Sequence, residues 1–168
     1  MKLKNYLSII VIFISCSFAT CKYSSKDVAP IPAEIKTFRV QTFQNKARNV
    51  NPQITPQLTD AVKQQIIGQT RLRQINDDIA DYDISGYLSN YSVTTSGIGN
   101  QQATTNRLNV TFHLIFKNNH DASTVESDIT NSYDFSANLT LQQAEQTLSD
   151  KIIKNISEGI FNKIFSNW

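Results

Sequence analysis

Side chains able to do catalytic or metal chemistry are few in this 168-residue chain, and their spacing matches no usual site. The two histidines, His113 and His120, lack a cysteine or carboxylate at the spacing of a zinc site. Four aspartates between residues 77 and 83 form an acidic cluster without the D-x-D-x-D-G order of a calcium loop. No serine or cysteine has a visible base and orienting partner, so a hydrolase is the weakest interpretation. We expect no enzyme activity, no metal and no cofactor.

The two cysteines, Cys16 and Cys21, indicate lipid attachment near the N-terminus. Residues 1–20 carry two early lysines and an apolar run of about 13 residues, short of the roughly 20 that a membrane-spanning helix needs. This pattern predicts a lipoprotein signal peptide, with a spanning helix as the alternative. Small residues precede each cysteine, as in a bacterial lipobox. We favour acylation of Cys21, which leaves no free thiol in the mature chain, and Cys16 is the alternative.

The charge of the mature chain is balanced, because removal of residues 1–20 leaves 14 basic and 14 acidic residues. A balanced chain without a basic stripe argues against nucleic acid as a partner. Asn and Gln together number 29, close to the 30 charged residues, whose 18% share lies below the roughly 25% of typical domains. An amide-rich surface suits a protein enclosed by another polar surface, such as the lumen of an outer-membrane β-barrel. Compositional drift of the source is the alternative explanation.

The chain after the anchor predicts one domain over residues 36–168. A tether at residues 21–35 contains serines and prolines and has no hydrophobic period. The alternation in Lys36–Phe43 predicts a first strand, with Phe38 and Val40 on its buried face.

Two helices are expected from the spacing of apolar residues and from capping signals. The first is predicted to begin with Thr55 as N-cap, before Pro56. The second runs from about 141 to 166, opened by a capping box of Thr140 and Gln143, and Gly159 marks a bend or a close approach.

Between the helices, the hydrophobic period becomes two, which predicts three antiparallel strands with one solvated face. The strands are centred on residues 82–88, 108–116 and 125–135, joined by turns at Ser96–Asn100 and Asn118–Asp121. The predicted fold is α+β, a single domain in the order β-α-β-β-β-α. Two helices pack on one face of a four-stranded, mainly antiparallel sheet.

Short motifs in a fixed order resemble the LptE family of lipopolysaccharide-assembly lipoproteins in its Bacteroidetes-type form. Each motif has two to four residues, and together they cover essentially the whole mature chain. They are Cys21–Ser24, Ile31-Pro32, Lys36–Phe38, Phe43–Asn45, Val50–Pro52, Gln69–Leu72, Asn106–Leu108, Ile160–Lys163 and Asn167-Trp168.

The resemblance implies a non-enzymatic lipoprotein of the outer membrane, anchored in the inner leaflet and facing the periplasm. It implies a role as plug and assembly partner of an LptD-like β-barrel, and some direct binding of lipopolysaccharide. Phosphorylated lipids need cations, so the candidates are Arg71, Arg73, Arg107 and Lys117.

The two predicted turns are our first candidates for insertion into the barrel, with Asn100 and Asn119 as partner-contact residues. The alternative function is a stand-alone periplasmic or surface lipoprotein that binds a small ligand or carbohydrate. Such a protein needs a concave pocket lined by aromatic residues.

Overall fold

The computed structural model describes residues 30–48, 51–99 and 102–166. Along these residues, six strands and two helices are named here in chain order. They are β1 (Thr37–Val40), β2 (Gln44–Asn45), α1 (Ile54–Gln69), β3 (Arg73–Gln74), β4 (Tyr82–Gly99), β5 (Gln102–Asn118), β6 (Ser123–Ser136) and α2 (Leu141–Phe165).

All six described strands join one sheet in the order β3-β1-β4-β5-β6, with β2 also paired to β4. β4, β5 and β6 form an antiparallel meander, whereas β1 and β2 run parallel to β4, and β3 runs parallel to β1. The prediction of an α+β domain with two helices is confirmed. The predicted four-stranded, mainly antiparallel sheet is not matched exactly: the sheet has six described strands, and the short strands β1, β2 and β3 add parallel pairings to the antiparallel meander. The helix α1 connects β1 to β3 as a crossover, which returns the chain in its original direction.

The predicted first strand is interrupted after Val40, and its continuation becomes β2. At the interruption, the backbone N–H of Phe43 donates to the hydroxyl of Thr59 in α1 at 3.0 Å. The same hydroxyl donates to the carbonyl of Thr55 at 2.8 Å. The backbone therefore turns toward the helix here, while the aromatic ring of Phe43 is buried in the core.

The start of α1 differs from the prediction. The N-cap is Gln53, which makes no side-chain cap hydrogen bond, and Thr55 lies inside the first turn and is buried. Asn51 supplies the local turn instead, because its side-chain oxygen accepts the backbone N–H of Gln53 at 3.0 Å. The proline is tolerated at Pro56 because the first turn has no intrahelical acceptors for its N–H groups.

The helix α2 follows its predicted course over 25 residues. Its capping box is present: the hydroxyl of Thr140 accepts the backbone N–H of Gln143, and the Gln143 side chain accepts the backbone N–H of Thr140. The buried stripe includes Ile152, Ile156 and Ile160, as the spacing predicts. The helix ends on Phe161 and Phe165, whose rings lie 4.8 Å apart.

Both helices cover the same face of the sheet. α1 packs on β1 and β3, α2 packs on β5 and β6, and the helices contact each other. The apolar side chains of the central strands alternate inward to meet them. The buried core contributed by β4, β5, β6 and α2 includes Ile84, Leu88, Leu108, Val110, Phe112, Leu114, Ile129, Tyr133, Ile152 and Ile156. The other face of the sheet has no helix over it among the described residues.

Gly159 marks a close approach of α2 to β6. A Cβ atom at this position would lie 2.7 Å from a side-chain methyl carbon of Ile129. The helix continues through Gly159 to Phe165, so the glycine serves packing rather than a helix end. By contrast, Val125 near the start of β6 is 51% exposed, although the alternation predicts it to be buried.

Candidate partner-binding face of the sheet

The sheet face opposite the helices carries the outward-pointing side chains of the strands, and we call it the open face. Hydroxyl and amide groups bond to one another across its centre. Asn109 donates to Thr94 at 3.2 Å and accepts from Ser132 at 2.8 Å, and the hydroxyls of Thr111 and Thr130 lie 3.1 Å apart. These groups lie on adjacent strands in register, so part of the polarity that was evident in the composition lies on this face.

A row of stacked and hydrogen-bonded side chains crosses the open face from β2 toward β6. The ammonium group of Lys46 lies 3.8 Å from the ring centroid of Tyr87, which stacks on His113 with a centroid distance of 5.0 Å. The two ring nitrogens of His113 then lie 2.7 Å from Asp128 and 3.2 Å from Glu126. The row brings a cation from the residue after β2, two rings and two carboxylates together across β4, β5 and β6.

Protonation of His113 is favoured in this row. Its pKa is raised, first by the hydrogen bond to Asp128, against partial desolvation, and further by Glu126. Sequence reasoning placed His113 on a polar face but did not identify its partners. The spacing of the two acids could have predicted these partners, because Glu126 and Asp128 are two residues apart and therefore project from the same face of a strand.

An ion pair is nearly buried at the end of the open face where β1 begins. The guanidinium of Arg39 donates to both carboxylate oxygens of Asp83, at 3.1 and 2.7 Å, and the amide of Gln41 donates to the same group. Burial opposes ionisation of Asp83, but these hydrogen bonds outweigh it, and the pKa of Asp83 is lowered. The pair joins β1 to β4 in register.

Part of the acidic cluster at residues 77–83 is therefore structural. Asp81 accepts the backbone N–H groups of Lys36 and Thr37 and the hydroxyl of Thr37, at 2.8 to 2.9 Å. The hydrogen bond from Lys36 is the largest of the effects that lower the pKa of Asp81. Within the described residues, no group of three or more His, Cys, Asp or Glu side chains is arranged to hold a metal ion.

The four predicted lipopolysaccharide-binding cations do not form one site. Arg71 donates to the carbonyls of Ile31 and Pro32, at 3.0 and 2.6 Å, and so holds the incoming chain against the domain. Arg107 forms a two-pronged ion pair with Asp134 at 2.7 and 3.0 Å.

The other two candidate cations lie nearer the start of β1. Arg73 is exposed in β3, opposite Thr37. Lys117 is exposed in β5, opposite Asp83. Ten residues of β5 separate Lys117 from Arg107, which is about 33 Å of extended strand. The register thus groups Arg71, Arg73 and Lys117 at one end and leaves Arg107 toward the other.

The two predicted turns lie at opposite ends of the sheet. β4 pairs with β5 from Tyr82 opposite Asn118 to Gly99 opposite Gln102, so the β5–β6 turn and the β4–β5 turn are separated by the full strand length. Eighteen residues of β4 span roughly 60 Å. The two turns that were our candidates for insertion therefore cannot both enter a barrel from one end of the sheet.

The two partner-contact candidates differ in what the structure describes. Asn100 lies outside the described residues. Asn119 uses its side chain to donate to the carbonyl of Ala80 at 2.7 Å, and its backbone N–H donates to the carbonyl of Asp81 at 2.8 Å. Asn119 therefore connects the β5–β6 turn to the loop before β4 through two hydrogen bonds.

Three open depressions are lined by described residues. One of about 290 Å³ lies between the starts of the helices and is lined by polar side chains, including Gln57 and Glu145. The other two, of about 350 and 420 Å³, lie beside β6 and the end of α2. Phe116 is the aromatic side chain in their linings, whereas the small-ligand alternative predicts an aromatic-lined pocket.

The membrane-related predictions fall largely outside the described residues. Cys16 and Cys21 lie in residues 1–29, as do the predicted signal peptide and most of the tether. Neither α1 nor α2 combines the length and hydropathy that a bilayer-spanning helix requires.

The sequence matches the family model described as LptE, lipopolysaccharide-assembly, over residues 35–164. This range includes every described strand and helix except the last residue of α2. No protein of curated function is significantly similar to the chain.

Solved structures resemble the fold at low sequence identity. A Xanthomonas campestris protein has a TM-score of 0.52 and 11% identity, covering 80% of this chain and 88% of its own. A hypothetical protein from Chlamydia trachomatis has a TM-score of 0.51 and 4% identity, covering 79% of this chain and 99% of its own. A minor lipoprotein from Acinetobacter baumannii has a TM-score of 0.47 and 15% identity, covering 78% and 96%. The first two show that the fold itself occurs in other bacterial proteins.

Proposed function

The chain belongs to the LptE family of lipopolysaccharide-assembly proteins, and from that membership we propose that it is an outer-membrane lipoprotein that plugs an LptD-like β-barrel. In this proposal, acylated Cys21 anchors the chain in the inner leaflet, and the domain faces the periplasm. The domain assists assembly of the barrel and helps deliver lipopolysaccharide to the outer leaflet.

The open face is the observation that carries the proposal. Its hydroxyl and amide groups are suited to hydrogen bonding with a polar wall, and its charged groups are largely arranged as neutral pairs, such as Arg39 with Asp83 and Arg107 with Asp134. The lumen of an outer-membrane barrel is polar, and some barrels are closed by a plug. A polar surface that no described helix covers meets that requirement better than an apolar surface, which would leave the polar groups of the wall unpaired.

Lipopolysaccharide contact is proposed for Arg73 and Lys117 first. Both are exposed, and no ion pair within 4 Å is present for either among the described residues. The remaining candidates, Arg71 and Arg107, already bond to carbonyls and to Asp134 respectively. A phosphate would therefore have to compete with existing partners at those two positions.

Photocrosslinking in living cells tests the plug. Asn90 and Thr130 suit this experiment better than Asn119, because they are exposed on the open face and Asn119 holds a loop in place. A photoreactive residue at either position should give adducts to an outer-membrane barrel. Gln64, exposed on α1, is the matched control and should give weaker adducts.

Depletion of the protein supplies the functional arm of the test. Loss of the plug should lower the amount of correctly folded barrel, reduce lipopolysaccharide at the cell surface and admit hydrophobic antibiotics. Adducts only to small soluble proteins, together with normal surface lipopolysaccharide after depletion, would instead support a ligand-binding lipoprotein.

A further inference from the structure

Among the described strands, β6 ends the sheet and leaves a long edge without a partner. It has 14 residues, pairs with β5 along its whole length, and has no other strand beside it among the described residues. Such an edge presents backbone N–H and C=O groups that an added strand can pair with. The opposite edge consists of β1, β2 and β3, the longest of which has four residues, followed by the part of β4 beyond Leu88, which pairs with β5 alone among the described strands.

The first half of β6 also borders both depressions near the end of α2. The depression of about 350 Å³ is lined by Phe116, Val125 and Ile164, among others. The depression of about 420 Å³ lies beside residues 128–130, under Gly159 of α2. In an added strand, the side chains at every second position would point toward α2. Successive side chains of this set would face the two depressions. Val125 is 51% exposed because this part of the sheet is incompletely covered.

The opposite side of the same segment is acidic. The side chains of Glu126 and Asp128 remain 59% and 62% exposed, although both contact His113. Residues of an added strand that point toward the open face would lie next to these carboxylates. Opposite charges on neighbouring strands stabilise their pairing, so basic side chains are favoured there.

A second copy of the chain does not fit this edge as well. Two β6 edges paired with each other would place Glu126 and Asp128 of both copies on one face of the joined sheet. Like charges on neighbouring strands destabilise the pairing. We propose that the edge of β6 between Thr124 and Thr130 binds an extended strand of a protein partner, with apolar side chains toward α2 and basic side chains toward the open face.

This proposal goes beyond the plug function and does not require it, since the partner strand is defined by its pattern. The probe is a short labelled peptide that alternates Val and Lys, compared with a peptide that alternates Val and Glu and with a scrambled Val/Lys sequence. Fluorescence anisotropy measures binding to the full chain. We expect the Val/Lys peptide to bind at least tenfold more tightly than the other two.

Variants locate the binding surface. Val125→Arg, which fills the helix side of the edge, and Glu126→Gln, which removes a carboxylate, should each weaken binding several-fold. Ile67→Arg on α1 and Glu34→Gln, both at exposed positions, are the matched controls and should leave binding unchanged. Melting temperatures within a few degrees of wild type confirm that each variant is folded.

Hydrogen exchange distinguishes strand addition from non-specific attraction. Alternate backbone amides between Thr124 and Thr130 should gain protection when the Val/Lys peptide is bound, because those amides point away from β5. Equal binding of the scrambled peptide, protection confined to other strands, or unchanged affinity in both folded variants would overturn the proposal. Protection of β6 that rises with protein concentration without peptide would show self-pairing and would also overturn it.

Discussion

At the residue scale, the packing of the sheet depends on a glycine whose role cannot be predicted from the sequence. A Cβ atom at Gly86 in β4 would lie 2.4 Å from the carbonyl oxygen of His113 and 2.6 Å from the ring of Phe112. Phe112 packs edge-on against Phe43 at 4.7 Å, so its ring has little freedom to move away. Gly86 therefore makes room for a core aromatic side chain on the neighbouring strand.

Replacing Gly86 with Ala should destabilise the domain by about 1–3 kcal/mol, because the added carbon overpacks the core. Gly68 in α1 is the matched control: nothing lies within 4 Å of its Cβ position, and Gly68→Ala should stabilise by up to about 1 kcal/mol. Chemical denaturation measures both changes. Equal stability of Gly86→Ala and wild type would contradict the packing argument.

The protonation of His113 provides a second residue-scale prediction. Because Asp128 and Glu126 raise its pKa, protonated His113 stabilises the fold at pH values below the ordinary histidine pKa of about 6.5. This contribution is lost as pH rises through the raised value. Asp128→Asn should therefore lower the His113 pKa measured by NMR and reduce stability mainly in acid.

The control for His113 is Asp150→Asn, which removes an exposed acid from α2. That substitution should leave the His113 titration unchanged. A titration that Asp128→Asn also leaves unchanged would show that the 2.7 Å contact does not persist in solution.

At the element scale, strong periodicity predicts the long strands and helices, whereas the short elements cannot be predicted from periodicity. The alternation in β5 and the capping box of α2 are local features, and both are confirmed. β2 and β3 have two residues each, and their pairing depends on where the α1 crossover returns the chain. The break at Phe43 depends on Thr59, 16 residues later, so no local pattern reveals it.

A substitution in α2 tests how much the stability of the fold depends on the buried apolar stripe of this helix. Ile156 is fully buried in its centre, so Ile156→Asp should lower the free energy of unfolding by more than about 3 kcal/mol, since a charge would be buried without a partner. Ile67→Asp on α1, where the isoleucine is 46% exposed, should cost less than about 1 kcal/mol. An unchanged melting temperature for Ile156→Asp would mean that the stripe is not essential to the core.

At the scale of the whole molecule, the chain enters the domain at one end of the sheet. Arg71 binds the carbonyls of Ile31 and Pro32, and Asp81 binds the backbone of Lys36. Arg73 and Lys117 lie at this same end, whereas the β4–β5 turn lies about 60 Å away along β4. The sequence predicts these cations only as separate residues, because their grouping requires the strand register.

This arrangement favours an anchor near the end that carries Arg73 and Lys117. The nine residue steps from Cys21 to Pro30 reach at most about 33 Å even when fully extended. If Cys21 is acylated, the near end of the sheet is therefore held close to the membrane surface. An anchor at Cys16 would lengthen the reach by five residues.

Labelling with a palmitate analogue in the native bacterium decides between the two cysteines. Acylation requires the cysteine sulfur, so Cys21→Ala should abolish both lipid labelling and signal cleavage. Cys16→Ala is the matched control within the signal peptide and should leave labelling intact. Labelling that survives Cys21→Ala and is lost with Cys16→Ala would show that Cys16 is the acylated residue. Absence of labelling in the wild type would contradict the proposal that the protein is a lipoprotein.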